Sequence, residues 1–529
     1  MKRDWGVLGC FAAAVMIMTT VPQAYGQGTP TRGGTAVMAI GADPSTLNRN
    51  IGSNNADGHV ACVIYQGLMR MDAKYKPQPL LAKTWSVSPD GKTYSFEINK
   101  ANWQDGKPMT SADVKYSIEE VSKKYSSVFA GAGRMIDSIE APAPDKVIFH
   151  LKEPYGPFLI SLACQQGGGV LPKHVYEGTN PLQNPATTTS PVGLGPFLLK
   201  EWKHGDYLRL TKNPTYWEPG KPYLDEVVIK VITQPSARIQ ALQAGEVDFV
   251  PSFFLPLTGY APLKDSPTIG LPPSPSPPTV DFLFLNMTKK PLDDKRVRKA
   301  LYMATDRELL LHTAYLDIGG VGTMPFTNKL EWAANPDIDY RKMYPFDPAK
   351  ANAMLEETGH KRGADGIRFK LNLLVASDDA AGPTVAQALK SMWRNVGVDL
   401  TIEQVDRTAA TKKQYTDMEA EVSTNAYTSF ADPALGMARA WITSSIKQPF
   451  GNASGYSNPE VDQLFTQGER AIGEAARGEF YKKVQVILAD DVPVFTLHEQ
   501  SAFNAQAKKL HGIEDEQFLM TWRDAWVSK

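Results

Sequence analysis

Side chains able to do chemistry are plentiful in this 529-residue chain, yet their spacing builds no catalytic centre. Gly91-Lys92-Thr93 has the tail of a phosphate-binding loop. That loop needs another glycine five residues before the Gly-Lys pair, and Ser86 stands there. Gly167-Gly168-Gly169 is followed by no helix suited to hold phosphate and reads as a plain turn. There is no G-x-S-x-G elbow, no H-E-x-x-H and no C-x-x-C, and the eight histidines are scattered without metal spacing. Three cysteines are too few for a zinc site. Carboxylates are abundant, but sequence alone pairs none of them. No cofactor and no metal is expected.

The clearest local structure runs from Leu81 to Val121. Trp85–Ser88 reads as a strand, and Pro89-Asp90-Gly91-Lys92 as a turn in which Pro presets φ and Gly accepts φ > 0. Tyr94, Phe96 and Ile98 alternate with Ser95 and Glu97, the period of a half-buried strand. Asp105-Gly106 turns the chain again. Thr110 caps a helix with Asp113 answering as a shortened capping box, and Val114, Ile118 and Val121 form its apolar stripe.

These residues resemble a known family. Asp90-Gly91-Lys92-Thr93, Trp103-Gln104-Asp105-Gly106-Lys107-Pro108 and Thr110-Ser111-Ala112-Asp113-Val114 follow one another as in the signature of family 5 extracellular solute-binding proteins. That family holds the peptide, dipeptide and nickel receptors of ABC importers. The resemblance implies an α/β, two-lobed periplasmic-binding-protein fold of type II, with an extra subdomain and a hinged ligand cleft. It also implies a binding protein rather than an enzyme, with an inner-membrane ABC permease and its ATPase subunits as partners.

Bulk properties fit that reading. The length calls for two or three domains. A net charge of −1 with no basic half argues against a nucleic-acid partner, and a monomer is expected. Lys2 and Arg3, an apolar run from Trp5 to Val21, and Ala24-Tyr25-Gly26 make residues 1–26 a signal peptide cleaved before Gln27, hence a periplasmic protein. The competing reading is an uncleaved anchor. No other apolar run approaches the roughly 20 residues that cross a bilayer. Cys62 and Cys164 remain after cleavage. Export permits a disulfide between them, and two buried small hydrophobes are the alternative.

The resemblance extends through Pro191–Phe197, Leu208–Leu210 and Asn213–Trp217. It divides the mature chain into lobe I (27–55, 190–279 and 498–529), an appended subdomain (56–189) and lobe II (280–497). A helix is read over Val60–Met69. Leu224–Lys230, Gln234–Gln243 and Glu246–Phe249 give a β-α-β rhythm. Thr279–Asn286 reads as the first hinge strand. Further helices are read at Asp347–Thr358, Ala380–Val396, Asn458–Ala471 and Arg477–Asp490. Val494–Leu497 reads as a strand returning to lobe I, with Trp522 and Trp526 as closing core residues.

For the cleft, the resemblance points to Asn425–Pro433. In peptide-binding relatives a similar segment ends in Asp-Pro or Glu-Pro, and an Asp three positions before the acidic residue holds the peptide's α-ammonium. Here that position is Ser429, with Asp432 as the acidic residue and Tyr427 beside it. A hydrogen bond to a charged group contributes about 1.5–3 kcal/mol, so the missing carboxylate opens the choice to a blocked peptide, an opine-like conjugate, a sugar or another organic solute. His498 is a further ligand-facing candidate, with a structural histidine as the other reading. Arg439 could hold a carboxylate or form a surface ion pair; Trp441 could stack a ligand or fill the core. Asp43, in the turn after the first strand, and Met324, at the cleft rim, complete the set. An exported hydrolase and a ligand sensor for a membrane receptor are the alternative functions.

Overall fold

The computed structural model describes residues 29–274, 278–513 and 521–528. The expected signal peptide, residues 1–26, lies outside them.

Lobe I is built on a seven-stranded sheet. Its spatial order is Ile269–Gly270, Ala505–Ala507, Phe249–Val250, Thr35–Ile40, Glu226–Val231, Tyr207–Lys212 and Phe197–Lys203. Thr35–Ile40 lies parallel to both of its neighbours. Ala36 and Met38 to Ile40 are fully buried, because parallel strands are covered on both faces. The Pro235–Gln243 helix makes the crossover from Glu226–Val231 to Phe249–Val250, and Gly245 ends it at φ +74°.

Lobe II carries a six-stranded sheet in the order Gly320–Val321, Val494–Glu499, Thr279–Leu285, Val422–Thr428, Phe369–Ala376 and Val398–Val405. The helix Gly382–Asn395 joins its last two strands, which are parallel. The strand Val494–Glu499 corrects one expectation, since it belongs to lobe II rather than returning to lobe I. All six of its residues are buried, a pattern that only an interior strand with covered faces supports. Thr279–Leu285 and Gly320–Val321 pair with it on its two sides. The chain re-enters the first sheet only at Ala505–Ala507.

A third sheet, Ala82–Val87, Thr93–Ile98, Lys146–Leu151 and Ile136–Ala143, has a core of its own that includes Phe96, Trp103, Phe149 and Phe158. The Thr110–Asp113 capping box forms, and the helix Ser111–Tyr116 continues through a π-turn, Ser117–Ser122. Val114, Ile118 and Val121 are buried as the stripe requires.

The helix expected over Val60–Met69 instead spans Asn55–Ile64, and Met69–Met71 is a strand. Gly67 explains the stop. A Cβ there would sit 2.4 Å from the Leu162 carbonyl oxygen, so the backbone at 67 lies directly against the 162–164 segment. Cys62 in this helix is disulfide-bonded to Cys164 across 102 residues of sequence. Replacing both cysteines with alanine should cost about 2–5 kcal/mol, the usual loss on removing a native disulfide, and toward the upper end for so long a loop. Urea unfolding of the oxidised protein and the double variant measures this. A loss below about 1 kcal/mol would mean that the loop is already ordered in the unfolded chain.

Candidate functional site in the cleft between the lobes

The chain crosses between the two large sheets twice, before Thr279 and after Glu499. Two cavities open beside these crossings, of about 480 and 570 Å³, within the range of small-molecule sites. Ser252, Phe253 and the segment 500–503 line both, so the cavities are two halves of one cleft. Phe253 is 58% exposed, an apolar ring left open where two lobes face each other.

The first half is acidic. Asp281 stands in the middle of an otherwise apolar strand. Its Oδ2 lies 2.7 Å from His498 Nδ1, and its Oδ1 accepts from Gln500 Nε2 at 2.8 Å. His498 is buried, stacks on Tyr315 with ring centres 3.8 Å apart, and donates from Nε2 to the Ile318 carbonyl at 2.7 Å. The ring thus ties the Asp281 carboxylate to the main chain at Ile318. Asp378 pairs with Arg407 at 2.8 Å, both half-exposed. Asp379 accepts from the amides of Ala381 and Gly382 at 3.2 and 2.9 Å, at the start of the Gly382–Asn395 helix. Burial raises its carboxyl above the usual range, and the Asp281 charge adds to this.

The second half is basic. Arg49 from lobe I and Lys329 from lobe II line it together with Thr428 and Phe430, and no carboxylate is among its described lining residues.

The residues singled out from sequence are dispersed by the fold. Ala426 and Thr428 reach the cleft, and Tyr427 between them points away. Tyr427 is buried against Phe282 and Phe284, and its hydroxyl donates to the Gly451 carbonyl and lies 3.2 Å from the Tyr415 hydroxyl. Ser429 is fully buried and lines neither cavity. Asp432 is 1% exposed and held by Arg477 through two contacts of 2.5 and 2.8 Å, while it caps Pro433–Gly436 through the Ala434 amide. It is fully occupied within the protein. Arg439 lies over the Tyr427 ring at 4.9 Å and donates to the Gly436 carbonyl, with no carboxylate. Trp441 is core, packed on Phe282, Phe326 and Phe465. Met324 is buried in the lobe II core. Asp43 accepts from Trp202, His204 and Gly205 at the far end of the lobe I sheet. Of the set, only His498 lines the cleft. Cys62 and Cys164, left open between a bridge and two small core residues, form the disulfide.

Sequence reading passed over Arg49, Phe253, Asp281, Asp379 and Gln500. Two signals were available. A carboxylate inside the apolar run Thr279–Leu285 conflicts with a buried strand. Asp378-Asp379 follows the carboxyl end of Phe369–Ala376, the edge at which α/β sheets place ligands.

Two consequences are measurable. Tyr427→Phe removes a buried hydroxyl donor and should cost about 1–3 kcal/mol of stability while leaving ligand affinity unchanged, as unfolding and titration together would reveal; a large affinity loss would put Tyr427 back in the site. Asp379 carries a pH signature. A carboxyl raised in the folded state adds stability below its unfolded value of about 3.9, and that stability is lost as pH rises through the folded value. Asp379→Asn should therefore gain in Tm over the parent protein as pH goes from 4 to 7. A difference that does not change with pH would contradict the burial argument.

The site now has a context among known proteins. Residues 76–448 match the description "Bacterial extracellular solute-binding proteins, family 5 Middle". The oligopeptide-binding protein AppA of Bacillus subtilis (strain 168) is 27% identical over 525 residues, covering 95% of this chain and 93% of that protein. The glutathione-binding protein GsiB of Escherichia coli (strain K12) is 28% identical over 494 residues, covering 90% and 91%. The ABC transporter-associated periplasmic binding protein DppA of Helicobacter pylori, solved with the peptide STSA, superimposes with a TM-score of 0.76 at 25% identity, covering 94% of this chain and 99% of that one. The two-lobed cleft, the extra sheet and a match over most of the sequence lead to one assignment: this chain belongs to the bacterial extracellular solute-binding proteins of family 5.

Proposed function

We propose that the protein captures a short, zwitterionic, peptide-like solute by lobe closure and delivers it to the permease of an ABC importer. The observation that carries this reading is the charge separation of the cleft, with Asp281, Asp378 and Asp379 against the single guanidinium of Arg407 in one half and Arg49 and Lys329 with no carboxylate in the other. A solute with a cationic and an anionic end satisfies both halves at once. A neutral sugar brings a counter-charge to neither half.

Phe253 supplies the apolar wall that side chains of such a solute need. The names of the relatives, oligopeptide- and glutathione-binding, fit the same chemistry. Both lobes contribute to each half of the cleft, so the ligand makes its full contacts only when the lobes are together and shifts an open–closed equilibrium toward the closed form. The closed form is the one presented to the membrane partner and its ATPase subunits. Among the described residues no helix is long and apolar enough to cross a membrane. We assign residues 1–26 to a cleaved signal, place the mature protein in the periplasm as a monomer, and keep the division into lobe I, appended subdomain and lobe II, with the second crossing moved to follow Glu499.

Thermal-shift measurements with di- to tetra-alanine, glutathione and maltotriose test this. A peptide-like solute at a hundred times its Kd adds about 2.7 kcal/mol of stability, a rise of a few degrees in Tm, and maltotriose adds none. Phe253→Ala and Asp281→Asn should each weaken the peptide response roughly tenfold. Stabilisation by the sugar alone, or release of free amino acids from the peptides, would overturn the reading in favour of a sugar receptor or a hydrolase.

A further inference from the structure

Arg49 is 6% exposed, and its bonds run to neutral groups. Nε donates to the Gln165 carbonyl at 3.2 Å, and Nη1 to the carbonyls of Asn54 and Gly52 at 2.9 and 3.4 Å. Nη2 has no hydrogen-bond partner among the described residues. The nearest acidic influence is Asp57, whose carboxylate is taken up by Ser45 and the Thr46 amide. Burial lowers the Arg49 guanidinium to about 10, the mark of a desolvated cation whose counter-charge is too far to compensate.

Arg238, Arg298 and Arg307 are also buried on main-chain carbonyls. Arg49 differs in its place. It lines the second half of the cleft, and Lys329 of lobe II lines the same cavity, its Nζ on the Gln500 carbonyl at 2.5 Å. Burial lowers the Lys329 ammonium as well. Two cations thus face one cavity from two lobes.

We propose that Arg49 is the specificity-determining anchor for a carboxylate of the ligand, and that Lys329 joins the same carboxylate from the other lobe on closure. This rests on the reading of the protein as a receptor for peptide-like solutes. Nη2, the nitrogen left without a carbonyl, has two N–H groups to offer a carboxylate oxygen in a charge-assisted hydrogen bond. The group is pre-positioned. Asn54 is the cap residue of the helix that carries Cys62, and Gln165 follows Cys164, so the disulfide clamps the two segments whose carbonyls aim the guanidinium. Because the two cations come from different lobes, an anionic group gains its second partner on closure, and charge recognition and closure become one event.

Calorimetric titration of the full mature protein decides the matter. The probes are tri-alanine, glutathione and an N-carboxyalkyl amino acid, each compared with its carboxamide. The parent protein should favour the carboxylate over the carboxamide by roughly ten- to a hundredfold. Arg49→Gln should collapse that ratio toward one. Arg49→Lys should keep part of it, and Lys329→Met, which leaves the buried Arg49 network intact, should lower it severalfold. If Arg49→Gln does not fold, the parent ratio and Lys329→Met still carry the test. A parent protein that binds a probe and its carboxamide equally well overturns the Arg49 assignment and leaves the peptide-like reading standing. A parent protein that binds no probe in either form overturns the peptide-like reading, and the Arg49 assignment falls with it.

Discussion

The pairing of Thr279–Leu285 with Val494–Glu499 is the constraint on which the rest of this molecule depends. These strands are adjacent in the lobe II sheet, and each is continuous with a crossing to lobe I. Their register shifts between Asp281 and Phe282. A bulge re-aims side chains beside it, and here Asp281 and His498, opposite one another at the shift, reach the cleft while Phe282, Phe284 and Phe495 stay in the core. A single pairing therefore sets the core of one lobe, the hinge and the acidic half of the site.

The fold was legible where local chemistry and burial agree. Thr110 and Asp113 announced a capping box, Tyr94, Phe96 and Ile98 alternated cleanly, and Asn458–Ala471 read as a helix that forms over Pro459–Arg470; each is placed as its pattern required. Reading failed where a neighbour decides. Asn55–Ile64 stops early because Gly67 meets a backbone 95 residues on, at Leu162. Val494–Glu499 could belong to either sheet by pattern, and its pairing settled the matter. The site was least legible. Val422–Thr428 has no clean alternation, so its parity was not readable, and the one large ring, Tyr427, goes to the core while small Ala426 and Thr428 face the ligand space. Arg49 gave no local sign at all, because its meaning lies in carbonyls at 52, 54 and 165 and a wall contributed by lobe II.

Asp432 illustrates how a motif residue serves function from a distance. It and Arg477 line a third cavity, of about 260 Å³, between the appended subdomain and lobe II. Close by, the Gly156 amide donates to the Glu469 carbonyl at 2.8 Å, Arg470 pairs with Glu153, and a Cβ on Gly156 would fall 2.4 Å from the Arg477 guanidinium. The subdomain meets lobe II through a backbone-close contact that no larger residue at 156 would permit. Removing one partner from a buried ion pair is far costlier than its net contribution, so the pair holds this contact in one geometry.

The segment 500–503 lines both halves of the cleft and is also the second connection between the lobes. Bending and binding therefore share the same backbone. A contact made to residues 500–503 from within the cleft acts on the same main chain that links the lobes.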